Sequence, residues 1–168
     1  ADSLPSLVTN SNIQFVILGS GDEKLEQRFV ELAKQYPKNI SSIIGFDDGL
    51  ARRIFAGTDF FLMPSRFEPC GLAQQYAMKY GSIPIARRTG GLADTIIDFE
   101  KNQICSNGFL FEEANSSELT EVIHRAINLF RTPDTFQKVR QTGLDAQSSW
   151  EFAANQYTEV YNWALEGK

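Results

Sequence analysis

"DFFLMPSRFEPCGLAQQYAMKYGSIPIAR", residues 59–87, carries the reading of the fold. DFFLMPS (59–65) is a short apolar run that Pro64 and Ser65 end, as expected of a buried strand. GLAQQYAMKYG (71–81) reads as a helix closed by Gly81. SIPIAR (82–87) is another strand, and Pro84 suggests an edge or strand-end position because it cannot donate to a ladder. Strand, helix and strand in this order predict parallel strands joined by a crossover helix.

The same rhythm extends both ways. IQFVILG (13–19) reads as a buried strand and DEKLEQRFVELAKQY (22–36) as an amphipathic helix, with apolar residues at 25, 29, 32, 33 and 36. NISSIIG (39–45) is a strand, and DGLARRIFAG (48–57) is a short helix ended by Gly57. GLADTIID (91–98) is a short helix and NGFLFEE (107–113) a fifth strand. Helices follow at 115–130, 133–146 and 149–165; this terminal run either caps the sheet or reaches towards another domain. The expected fold is α/β, a Rossmann-like parallel sheet with helices on both faces, which binds ligands beyond the carboxyl ends of its strands.

Three loops follow strands and should share that edge. GSGDE (19–23) permits a tight turn and close approach of a ligand to the backbone at Gly19 and Gly21. It lacks the third glycine of the dinucleotide fingerprint, so a plain strand-to-helix turn remains open. In MPSRFEPCGL (63–72), Pro69 fixes one backbone angle and Gly71 lets the chain turn into a helix. The N–H groups near residues 70–72 would then be first-turn donors without partners and, with the helix dipole, an anion site. Arg66 adds positive charge. Glu68 opposes an anion but suits hydroxyl groups, since an ionised carboxylate is a strong acceptor. A phosphate beside hydroxyls describes a sugar phosphate; a solvent-facing turn glutamate is the plainer alternative. Cys70 stands where thiol acidity rises, but no base is near in sequence, which favours a small, half-buried side chain whose backbone does the binding. RRTGGLADT (87–95) offers a further anion or sugar cradle at Thr89, Gly90 and Gly91, unless the glycines only make the turn.

Composition narrows the classes. The 168 residues suit one domain, with 42% apolar and 12% aromatic residues, a soluble globular composition. No apolar run approaches the roughly 20 residues of a membrane span, and the N-terminus shows no secretory signal. The net charge of −5 argues against nucleic acid. Residues 51–88 nevertheless hold six basic residues (Arg52, Arg53, Arg66, Lys79, Arg87, Arg88) against Asp59 and Glu68, a local balance of +4. That island suggests a small anionic ligand, or else scattered solvated arginines. Two cysteines, Cys70 and Cys105, form no disulfide framework and fit a reducing compartment. His124, the only histidine, lies off the apolar stripe of its helix, which leaves little for zinc or triad chemistry.

GFDDGLARRIFAGTDFFLMPSRFEPCGLAQQYAMKYGSIPIARRTGGLADT (45–95) closely resembles the nucleotide-sugar half of bacterial glycogen synthases and plant starch synthases. PSRFEPCGL with RRTGGL is the specific part, and VILGSGD and SSWEFAANQYTEVYNWAL also fit. The resemblance implies a retaining α-1,4-glucosyltransferase using ADP-glucose, without a cofactor or metal. It implies two Rossmann-like domains facing across a cleft (the GT-B arrangement). Residues 1–168 would be the single C-terminal domain, lacking its first strand and loop and the N-terminal domain that receives the glucan acceptor. By motif, Glu68 would bind the donor glucose, and the backbone of Cys70, Gly71 and Leu72 would cradle sugar and diphosphate. Phe46 would contact adenine, with Gly19 and Gly21 near the nucleotide. The compartment implied is the bacterial cytoplasm, or the plastid in a plant.

Two departures are visible. Ala73 stands where many relatives carry threonine, and the family's diphosphate-gripping Arg and Lys would lie upstream of residue 1. The chain by itself is therefore expected to bind donor poorly and transfer no glucose. Tyr76 occupies the place where the wider family of retaining sugar transferases has a second glutamate, which favours the glucan synthases over sucrose-phosphate or lipid-sugar transferases. A non-catalytic sugar-nucleotide-binding or regulatory module remains the alternative. An NAD dehydrogenase is disfavoured, because NISSIIGF ends without an acidic residue.

Overall fold

The computed structural model describes residues 1–146 and 149–166, so Ser148, the first residue of the late motif, lies outside the described residues. Helices and strands alternate from α1 (Leu4–Asn10), β1 (Phe15–Gly19), α2 (Glu23–Gln35) and β2 (Ile40–Ile44) to α3 (Asp48–Gly57) and β3 (Phe60–Met63). They continue through α4 (Ala73–Lys79), β4 (Ile83–Arg87), α5 (Gly90–Thr95) and β5 (Phe109–Phe111). Three helices end the chain: α6 (Ser116–Phe130), α7 (Pro133–Asp145) and α8 (Trp150–Glu166). No helix among the described residues is long and apolar enough to cross a membrane.

Every strand pair is parallel, as the strand–helix–strand reading requires. The ladders divide into β1–β2 and β3–β4–β5, so β1, β2, β3 and β5 each keep one unpaired edge among the described residues. β4 is thus a central strand, and of the two positions expected for Pro84, edge or strand end, it takes the strand end, as the second residue of β4. The reason is register: Ile83 N–H donates to Asp59 O on the β3 side (2.9 Å), which turns the Pro84 nitrogen towards β5. The β5 ladder starts only opposite Ile85, so the missing donor falls before that pairing begins.

Alternation along the strands builds two faces. Ile83, Ile85, Phe109 and Phe111 point one way and pack on Val122, Ile123, Ala126 and Leu129 of α6 and on Phe136 and Val139 of α7. Met63, Ala86 and Leu110 point the other way, against Leu92 of α5 and Ile96. The β1–β2 pair is covered by Leu4 and Val8 of α1 and Leu32 of α2. The sequence reading passed over α1, although Leu4, Leu7 and Val8 have helical spacing and Pro5 sits in its first turn. Caps fix the helix starts: Asp22 accepts from Lys24 and Leu25 N–H, Asp47 from Leu50 N–H and Asn115 from Glu118 N–H.

Candidate functional site

The parallel order brings the loops after β3, β4 and β5 to one end of their sheet, and those after β1 and β2 to one end of theirs. In the β3 loop the chain leaves Met63 and runs through Pro64 to Leu72 before α4 begins. Gly71 holds φ +69°, a left-handed conformation that explains why the helix starts at Ala73 and not at 71. None of the backbone N–H groups of residues 70–75 donates to a protein acceptor among the described residues. Leu72 caps α4 without a side-chain hydrogen bond, so the first-turn donors keep their capacity for a ligand.

Glu68 is half-buried at this loop, and its carboxylate takes part in no hydrogen bond or ion pair among the described residues. Arg66 is exposed and likewise without a side-chain partner. Cys70 is exposed, against the half-buried position expected for it. Phe67 and Leu72 are also exposed on this rim.

The β4 loop serves the β3 loop. Gly91 N–H donates to the carbonyls of Glu68 (3.2 Å) and Pro69 (3.1 Å). A side chain at Gly91 would stand 1.9 Å from the Cys70 carbonyl oxygen, and one at Gly90 would stand 2.0 Å from that of Glu68. The pair of glycines is therefore a seat for backbone. The Gly91 amide is not free for a ligand, which corrects the cradle expected of it. Gly90, on the open side, is exposed; Thr89 caps α5 without a side-chain bond to it.

Arg87, which the sequence reading left outside its candidate site, braces the same loop. Its Nε donates to Ser65 O (2.9 Å), its Nη2 to Arg66 O and its Nη1 to Glu112 O. Arg88 pairs with Glu112 (2.7 Å), Arg52 with Asp48 (3.0 Å), and Lys79 closes α7 through Leu144 and Ala146 carbonyls. The basic island is thus largely structural, and Arg66 and Arg53 are its members without partners among the described residues.

On the other pair of strands, Gly19 ends β1 exposed and accepts from Gly45 N–H (3.0 Å). Gly21 N–H donates to Glu26 Oε1 (2.7 Å), so its amide is occupied by a carboxylate of α2 and not open to a nucleotide. Phe46 directly follows Gly45, whose φ of +136° turns the chain, and is 91% exposed. His124 is exposed on α6, and no cluster of metal-ligating side chains forms among the described residues.

The layers, crossovers and strand-end loops define a doubly wound parallel α/β domain. The chain belongs to the glycosyl transferases group 1 family, whose model matches residues 2–139. It is 45% identical to the glycogen synthase of Thermosipho melanesiensis over 159 residues, 94% of this chain and 33% of that protein. It is also 45% identical to that of Syntrophotalea carbinolica over 154 residues, 92% of this chain and 32% of that protein. Among solved structures it is similar to the catalytic domain of starch synthase IV from Arabidopsis thaliana bound to ADP and acarbose. There the TM-score is 0.78 and the identity 34%, over 91% of this chain and 32% of that one. The chain spans about a third of the length of the curated relatives it matches.

Proposed function

We propose that this chain is the nucleotide-sugar-binding domain of a retaining α-1,4-glucosyltransferase that elongates glycogen or starch from ADP-glucose. One observation carries the reading: the amides of residues 70–75 have no protein acceptor, and the unpaired carboxylate of Glu68 lies in the same loop. The amides receive the diphosphate; Glu68 accepts from the glucose hydroxyls. Phe46 offers an exposed apolar face to the adenine. In the reaction the bond from glucose C1 to the diphosphate oxygen breaks, and a bond from C1 to a glucan hydroxyl forms on the same face. The hydroxyl proton passes to the departing diphosphate. Donors already aimed at the diphosphate stabilise the charge that develops on it.

The acceptor site and the remaining diphosphate ligands come from polypeptide outside this chain, in keeping with relatives three times as long. An unpaired sheet edge offers room for a further strand, which would bring the upstream loop and its cations to the site. The exposed, unpaired Cys70 and Cys105 suit a reducing compartment, the cytoplasm of a bacterium.

Glu68→Ala in the full-length protein tests the assignment. The reading requires kcat/KM with ADP-glucose to fall by about 10²-fold or more, as for other contacts that tighten in the transition state. Unchanged kcat/KM in a folded variant removes Glu68 from the site.

A further inference from the structure

Gln74 is wholly buried in the first turn of α4. Its Nε2 shares two protons among three acceptors within hydrogen-bond distance, the carbonyl oxygens of Gly71 (2.8 Å) and Cys70 (3.3 Å) and Thr95 Oγ1 (3.1 Å). Thr95 gives its single hydroxyl proton to Gly91 O (2.6 Å), so towards Gln74 it can only accept, and that fixes the orientation of the amide. Gly91 N–H in turn reaches back to Glu68 and Pro69. The bonds close a circuit: the loop at 68–71 is held from its own helix by Gln74 and from α5 by Gly91, with Thr95 joining the two.

The buried Oε1 of Gln74 has no partner. An unpaired buried acceptor costs stability, and an apolar side chain of the same size would avoid that cost. What only the amide supplies is the donor that draws the carbonyls of residues 70 and 71 inwards. With those carbonyls held inside, the neighbouring N–H groups are left to face the rim.

We propose that Gln74 is a positioning residue of the donor site, acting through Cys70 and Gly71 to keep the 70–75 amides aimed at a diphosphate. The inference rests on the functional reading above and adds a residue to it. The test is calorimetric titration of the full-length protein with ADP and, separately, with adenosine, which lacks the diphosphate.

Gln74→Met removes the donor at similar volume. Thr95→Val removes the hydroxyl that links the two loops, and Thr95→Ser restores it. Gln74→Met and Thr95→Val should each weaken ADP binding about tenfold, the effect of one lost buried hydrogen bond, while adenosine binding stays as in the parent and Thr95→Ser behaves as the parent. Parallel loss of ADP and adenosine, or ADP affinity unchanged in folded Gln74→Met, overturns the proposal. Should Gln74→Met fail to fold, the Thr95→Val and Thr95→Ser pair decides by the same criteria. Glu68→Ala separates the two readings. Lost turnover there with unchanged ADP affinity in Gln74→Met sinks the positioning role alone; unchanged turnover with weakened ADP binding in Gln74→Met removes Glu68 from the site and leaves the positioning role standing.

Discussion

Glu68 and Phe46 stand out because each has a side chain with nothing of its own to do. The carboxylate has no partner among the described residues, and the ring is 91% exposed two residues past the end of β2. Phe46→Ala should leave stability within about 0.5 kcal/mol, because an exposed side chain contributes little packing. The same change should weaken ADP binding by about 1–3 kcal/mol if the ring stacks on the base; thermal melts and titration of one variant check both halves. Gly91 behaves oppositely. Gly91→Ala forces a methyl group to within 1.9 Å of the Cys70 carbonyl, so it should destabilise by at least about 1–3 kcal/mol in chemical denaturation. These roles differed in how readable they were. An acid and a proline–cysteine–glycine turn after a strand announce a site by residue type and local geometry. The duties of Gly91 and Arg87 depend on acceptors elsewhere in the fold, Glu68 O and Ser65 O, and no local pattern states which acceptor will be near.

Elements were more legible than their contacts. Strand and helix alternation follows from periodicity, and α3 spans the expected 48–57, with Asp47 capping its start and Thr58 its end. The 2+3 division of the sheet was not legible, since ladder partners are long-range and Pro84 left edge and strand end both open. The basic island leaves an anionic ligand and solvated arginines equally open for the same reason: the partners of Lys79, Arg87 and Arg88 are carbonyls and acids remote in sequence. The start of α6 gives a prediction at this scale. Glu118 Oε2 accepts from the N–H groups of both Glu112 and Glu113 (2.8 Å each) at the end of β5. Glu118→Ala should lower stability by about 1–3 kcal/mol, judged by urea unfolding, because two loop donors lose their acceptor. An unchanged unfolding midpoint would show that water replaces the carboxylate at no cost.

Across the molecule, surfaces that an enclosed domain would cover lie open. β1 and β3 keep free edges, and α8 buries none of its residues, with Trp150 89% and Trp163 75% exposed. Both tryptophans of the chain lie on α8. Emission from the isolated chain should therefore be that of solvated indole and be fully open to an ionic quencher; shielded emission would contradict the placement of α8. The account itself turns on whether the loop amides take a diphosphate. Its most direct test is to titrate the nitrogen-15-labelled chain with excess ADP and follow each backbone amide by NMR, a method that tolerates weak binding. The account predicts the largest shifts at Cys70, Gly71, Leu72 and Ala73, with Gly21 and Gly91 moving less. Shifts centred away from the β3–α4 loop, with those four amides unmoved, would contradict it.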